Sequence, residues 1–135
     1  MSKPYEVVTE IITESSAGRP IKIASYTSTT PTHLHVMTIA DVVDAVWIKF
    51  ENTTATDVDI ALVVNPATTG GADVTAAECV YRVPPLSSVW VMDGDRVRLA
   101  LATYTVAAYC VLAADVDKVK ATGHVNRMFY AEETL

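Results

Sequence analysis

No apolar run in this sequence approaches the ~20 consecutive residues that a bilayer-spanning helix needs, although half of its 135 residues are hydrophobic. Helical membrane insertion is therefore not expected. The opening residues, Met1 to Glu6, carry neither the basic segment nor the continuous apolar segment of a secretory signal, so the chain is expected to fold in the cytoplasm where it is made. Cations are scarce: ten Lys and Arg stand against sixteen Asp and Glu, for a formal charge of −6. Nucleic-acid affinity rests on clustered Lys and Arg, so no nucleic-acid partner is expected. Cysteine is nearly absent. Cys79 and Cys110 lie in apolar runs without a Cys-x-x-Cys spacing, which predicts two buried thiols, with a disulfide between them as the lesser alternative.

Catalytic motifs are missing as well. The sequence has no Gly-x-Ser-x-Gly elbow, no Walker loop, no Gly-x-Gly-x-x-Gly turn and no His-Glu-x-x-His. His33-x-His35 would set two imidazoles on one strand face, a spacing that can serve zinc with His124 as a third ligand. Flanked by Thr32 and Thr38, the pair reads as a solvent-facing polar row. The carboxylate pairs Asp57/Asp59, Asp93/Asp95 and Asp115/Asp117 lack the string of oxygen ligands ending in a bidentate Glu that a calcium loop requires. They read as solvated strand ends. The expectation is a protein that is not an enzyme and holds no cofactor.

What the sequence does have is alternation. Residues 1–20 have mixed periodicity and end in the turn cluster Ser15-Ser16-Ala17-Gly18-Arg19-Pro20, which predicts an N-terminal arm. From Ile21 onward apolar residues recur with the period of two that marks half-buried strands, the first predicted from Ile21 to Thr27. Val46, Ile48 and Phe50 share one face, opposite Trp47, Lys49 and Glu51, after a break predicted at Asp41 to Asp44. After a predicted turn over Asn52-Thr53-Thr54-Ala55-Thr56, Val58, Ile60, Leu62 and Val64 form the cleanest such series. Residues 65–75, rich in Gly, Thr, Pro and Ala, predict a long surface loop. Asp93-Gly94-Asp95 offers the chemistry of a tight hairpin turn between two strands. Residues 105–112 and 119–128 predict the last two strands.

Eight or nine short strands with no long helix indicate an all-β fold, an antiparallel β-sandwich or jelly roll. The expected division is an arm over 1–20, the sandwich over 21–128 and a tail over 129–135. Large amphipathic side chains in or beside strands then suggest contact with other proteins. Trp47 suits a core or an interface, and sharing a face with Lys49 and Glu51 favours the interface. The candidate interface residues are Val7 and Ile11 in the arm, Trp47, Lys49 and Trp90 on strands, and Thr68 and Thr69 in the long loop.

The order of several segments also resembles that of a known family. These are Gly18-Arg19-Pro20-Ile21-Lys22-Ile23-Ala24, Leu34-His35, Asp44-Ala45-Val46-Trp47-Ile48, Phe50 through Thr56, Val89-Trp90 and Thr122 through Met128. Over residues 18–128 their collinear arrangement resembles small virion structural proteins of tailed bacteriophages, carried close to head genes. The sequence departs from that pattern at Thr68 to Ala72, where the family has an Asp-rich loop. The resemblance implies a capsid decoration (cement) protein located in the virion, with the major capsid protein or other virion proteins as partners and a homo-oligomeric state, favouring a trimer. Neck or collar, tail and fibre-attachment proteins are the neighbouring implications. A carbohydrate- or metal-binding β module using the 65–75 loop and the His33/His35 face is the reading from a different class.

Overall fold

A computed structural model of the chain describes residues 6–38, 42–64, 77–98 and 104–129. Over these residues the chain forms nine strands: β1 (Glu6–Ile11), β2 (Ile21–Lys22), β3 (Thr32–Met37), β4 (Val42–Asn52), β5 (Val58–Val64), β6 (Ala77–Val83), β7 (Ser87–Arg98), β8 (Tyr104–Cys110) and β9 (Val119–Phe129). Two single-turn 3-10 segments, Ser16–Gly18 and Ala113–Asp115, are the only helical turns among the described residues.

β4, β5 and β9 form where they are predicted, because each must bury one row of side chains. On β4 the row Val46, Ile48 and Phe50 is fully buried, while Trp47 and Lys49 are half-buried and Glu51 is exposed. On β5, Val58, Ile60 and Leu62 are buried against it, with Val106, Ala108 and Cys110 of β8 beside them. Each large side chain taken fully out of water contributes about 1.5–3 kcal/mol before conformational entropy is counted. This shared row is why two sheets pack face to face.

The pairing of the strands is nested. β5 pairs with β6, β4 with β7, β3 with β8 and β1 with β9, all antiparallel, as in one long hairpin folded back on itself. Wrapping that hairpin around the core brings β4 beside β9 and β5 beside β8. The results are a first sheet in the order β1-β9-β4-β7, with β2 also on β9, and a second sheet in the order β3-β8-β5-β6. A five-stranded and a four-stranded layer, in which β1-β9-β4-β7 faces β3-β8-β5-β6, are with this connectivity a jelly roll.

Several local expectations are corrected. Asp93-Gly94-Asp95 is no hairpin turn: β7 runs through it, and the register slips there by one residue opposite Val46 and Trp47. A glycine at positive φ serves a bulge as well as a turn, and Gly94 has φ +82°. Asp44 does not break a strand but lies within β4, for the reason given below. The predicted first strand from Ile21 to Thr27 shortens to two residues. Within residues 1–20, read as an arm, Glu6–Ile11 forms an edge strand paired to β9, and Ile12 enters the core. Phe129, assigned to a tail, ends β9. The long loop with Thr68 and Thr69 lies outside the described residues.

Candidate functional site

Residues directly opposite one another in an antiparallel pair point to the same side of a sheet. Following the register across the first sheet therefore gives the composition of its outer face. One row reads Val7 on β1, Met128 on β9 and Val43 on β4; the third reads Ile11, His124, Trp47 and Asp93. The next sets Thr122, Lys49 and Trp90 side by side, and beyond it lie Lys22, Lys120, Glu51 and Ser88. Five of the candidate interface residues, Val7, Ile11, Trp47, Lys49 and Trp90, thus converge on one surface from three strands. Val7 and Ile11 are each 52% exposed and Trp90 54%, a high value for side chains of this kind in a folded domain.

Backbone geometry makes room for this aromatic patch. The Trp47 ring stacks on His124, with centroids 5.0 Å apart and planes within 7°. The Trp47 ring also packs against Gly94, where a Cβ would meet it at 3.0 Å. Glycine at the bulge therefore serves both the positive φ and the indole above it. Gly123 has no such φ but is equally constrained, since a Cβ there would lie 2.2 Å from the Trp47 carbonyl oxygen. Lys49 holds its ammonium 5.7 Å from the centre of the Trp90 ring, an attraction worth about 0.5–1 kcal/mol at an exposed site.

The opposite sides of β4 and β9 carry a different device. Asp44, fully buried, accepts two hydrogen bonds from the Arg127 guanidinium, Nε to Oδ1 at 2.8 Å and Nη2 to Oδ2 at 3.0 Å. His35 of β3, 1% exposed, meets the same Oδ2 through Nε2 at 2.7 Å. The imidazole's other nitrogen, Nδ1, accepts from the Thr13 backbone N–H at 3.2 Å. That contact fixes the tautomer: Nδ1 is the acceptor, so the proton sits on Nε2 and is donated to Asp44. Arg127 also reaches Glu10 of β1 at 3.3 Å. Burial pushes the Asp44 carboxyl up, but the His35 and Arg127 hydrogen bonds outweigh it and hold the pKa at about 2, below the ordinary 3.8.

This network corrects the reading of His33-x-His35 as one polar face. A bulge between His33 and His35 shifts the register of β3, so His35 turns inward while His33 stays half-exposed. The two imidazoles do not share a face. An Asp–His pair can prime a hydroxyl nucleophile only if the second ring nitrogen is free to take its proton. Here the Thr13 amide occupies that nitrogen. The network instead joins the two sheets: His35 belongs to the second, and Asp44, Arg127 and Glu10 to the first. The segment after β1 strengthens the joint, with Glu14 N–H donating to Leu34 O at 3.3 Å and Val36 N–H donating to Thr13 Oγ1 at 2.6 Å.

The remaining candidates separate. Cys110 is buried, and burial followed by the nearby Asp115 and Asp117 pushes its thiol up to about 11. Cys79 is exposed, contrary to expectation, because its apolar run forms the edge strand β6 at the open rim of the sandwich. The Asp pairs are split: Asp59 is held by Arg82 and Asp115 by Lys118. The bulge at Gly94 parts Asp93, opposite Trp47, from Asp95, opposite Val46. Among the described residues no three His, Cys, Asp or Glu side chains are grouped to hold a metal ion. Sequence reasoning missed the Asp44–Arg127 pair, whose members are 83 residues apart, and the role of His124 as the stacking partner of Trp47.

No family model matches the chain, and no curated protein matches it. A solved structure titled as that of infectious bursal disease virus, Gx strain, contains a chain of similar fold, with a TM-score of 0.55 and 10% identity. The match covers 98% of this chain and 34% of that one, so this chain spans about a third of the other's length. The jelly roll of this protein is therefore shared with a chain found in the structure of a virus.

Proposed function

We propose that this protein is a structural component of a virus particle, working by protein–protein contact through the outer face of its first sheet. The observation that carries the reading is the convergence of Val7, Ile11, Trp47, Lys49 and Trp90 on one exposed face of a jelly roll. A patch in which aromatic residues centre an otherwise polar surface has the make-up of an interface core and rim. The fold shared with a chain from a viral structure supports the setting, and jelly rolls recur in viral capsid domains.

The finer reading is a capsid decoration protein of a tailed phage, bound in many copies over the head lattice. This follows the resemblance of the segments between residues 18 and 128. Identical weak contacts repeated over a lattice add through multivalency and would brace the shell against its packaged genome. Quantitative mass spectrometry of purified particles, with imaging to locate the chain, tests both levels. Hundreds of copies per particle on the head support decoration, and a copy number near that of a single ring places the protein at the neck or tail. Absence from the particle would overturn the structural role altogether.

A further inference from the structure

Six of the eight large hydrophobic side chains exposed among the described residues fall into two patches, and the patches differ in charge. The first is the outer face described above, with Val7, Ile11 and Trp90. By register it carries Lys22, Lys49, Arg96 and Lys120 against Glu51 and Asp93, in a chain whose formal charge is −6. None of these four cations is ion-paired among the described residues, whereas Arg82, Lys118 and Arg127 each hold a carboxylate.

The second patch is a corner where the end of β8 meets the start of β5. Cys110 N–H donates to Ser25 O at 2.7 Å and Val111 N–H to Asp59 O at 3.1 Å. These bonds place Tyr26, Val111 and Leu112 at one corner, all exposed, with Leu112 at 60%. Around them stand Asp57, Asp59 and Asp117; the cations nearby, Arg82 and Lys118, are already bound to Asp59 and Asp115.

We infer that the two patches are complements. The outer face of the first sheet in one copy receives the Tyr26, Val111 and Leu112 corner of a second copy, a head-to-tail contact. Each patch offers an apolar centre, and their charges are opposite. Contact of the outer face with its own counterpart would instead set two faces against each other in which cations outnumber Glu51 and Asp93, an arrangement that costs free energy across an interface. The inference rests on the reading of the outer face as a contact surface and names what covers it.

Both tryptophans of the chain lie in the outer face, so their emission reports directly on docking. Sedimentation velocity of the full chain over a concentration range, with fluorescence on the same samples, should show reversible association, a blue shift on association and weakening by salt. Lys49→Glu should weaken association roughly tenfold or more, as should Asp57→Lys combined with Leu112→Lys, because each reverses one side of the contact. All three positions are at the surface, and circular dichroism of each variant checks the fold. Mixing the Lys49→Glu chain with the corner variant should restore association, since each supplies the intact patch that the other lacks. A chain that stays monomeric at every concentration, or association indifferent to the corner substitutions, would overturn the inference. If that monomer still binds purified particles, the contact-face reading stands and the head-to-tail inference alone falls.

Discussion

The inner and outer sides of β4 and β9 use charge in opposite ways. Inward, Asp44 and Arg127 satisfy each other completely, with His35 and Glu10 completing the set. Outward, Lys49 and Lys120 on the same two strands have no carboxylate partner among the described residues. A buried charge that lost its partner would cost several kcal/mol, so the inner set must be closed within the chain. An outer charge is solvated at almost no cost and is free to meet another molecule. The same strands therefore hold the domain together on one side and present unpaired cations on the other.

The sharpest way to break this contrast is Arg127→Ala, which strands Asp44 without its main partner. Urea unfolding should show a loss of about 3–5 kcal/mol, partly recovered when Asp44→Val is added. Acid should have a smaller effect through the same carboxylate. Its folded pKa of about 2 lies below the ordinary 3.8, so its stabilisation is complete above about pH 4 and is lost as pH falls through 2. Chemical denaturation across that window should show about 2 kcal/mol disappearing, and the loss should be absent in the Asp44→Val, Arg127→Ala double variant.

On the outer side the expected effects on stability are smaller. Gly94→Ala meets both a φ of +82° and the Trp47 ring at 3.0 Å, and should cost about 1–2 kcal/mol in thermal unfolding, with altered tryptophan emission. Trp90→Ala should shift stability by less than about 1 kcal/mol, since it removes an exposed ring and its Lys49 contact. Its effect should appear in association instead. A Trp90→Ala loss as large as that of Arg127→Ala would erase the distinction between the two sides.

Much of this architecture was legible in the alternation of β4, β5 and β9, because a strand with one buried face must alternate. Asn52 was legible too. Read as the start of a turn, it is buried and organises residues 52–56, accepting from Thr54 N–H at 2.9 Å and donating to Thr56 O and Val83 O. What alternation cannot reveal is a residue inserted into it. The bulge on β3 moved His35 to the core, and the bulge at Gly94 turned an apparent hairpin into the middle of β7. Asp44 was unreadable for another reason: an Asp ahead of an apolar run signals a turn unless a partner waits for it, and Arg127 becomes its neighbour only through the pairing of β4 with β9. The outer face shows the reverse case: alternation puts Trp47 and Lys49 on one side of β4, and only the register adds Trp90, Val7 and Ile11 to the same surface.

The nested pairing of strands has a consequence for when that surface exists. Closing β5 on β6 spans the shortest loop in the nest, and each further pair then adds to structure already formed, so loop-closure entropy favours zipping from the inside outward. The outermost pair, β1 on β9, joins segments 117 residues apart at Thr9 and Asn126. In that order Val7 and Ile11 reach the outer face last. A partly folded chain would then display an incomplete patch, and the contact proposed for this face would be deferred until the domain is finished.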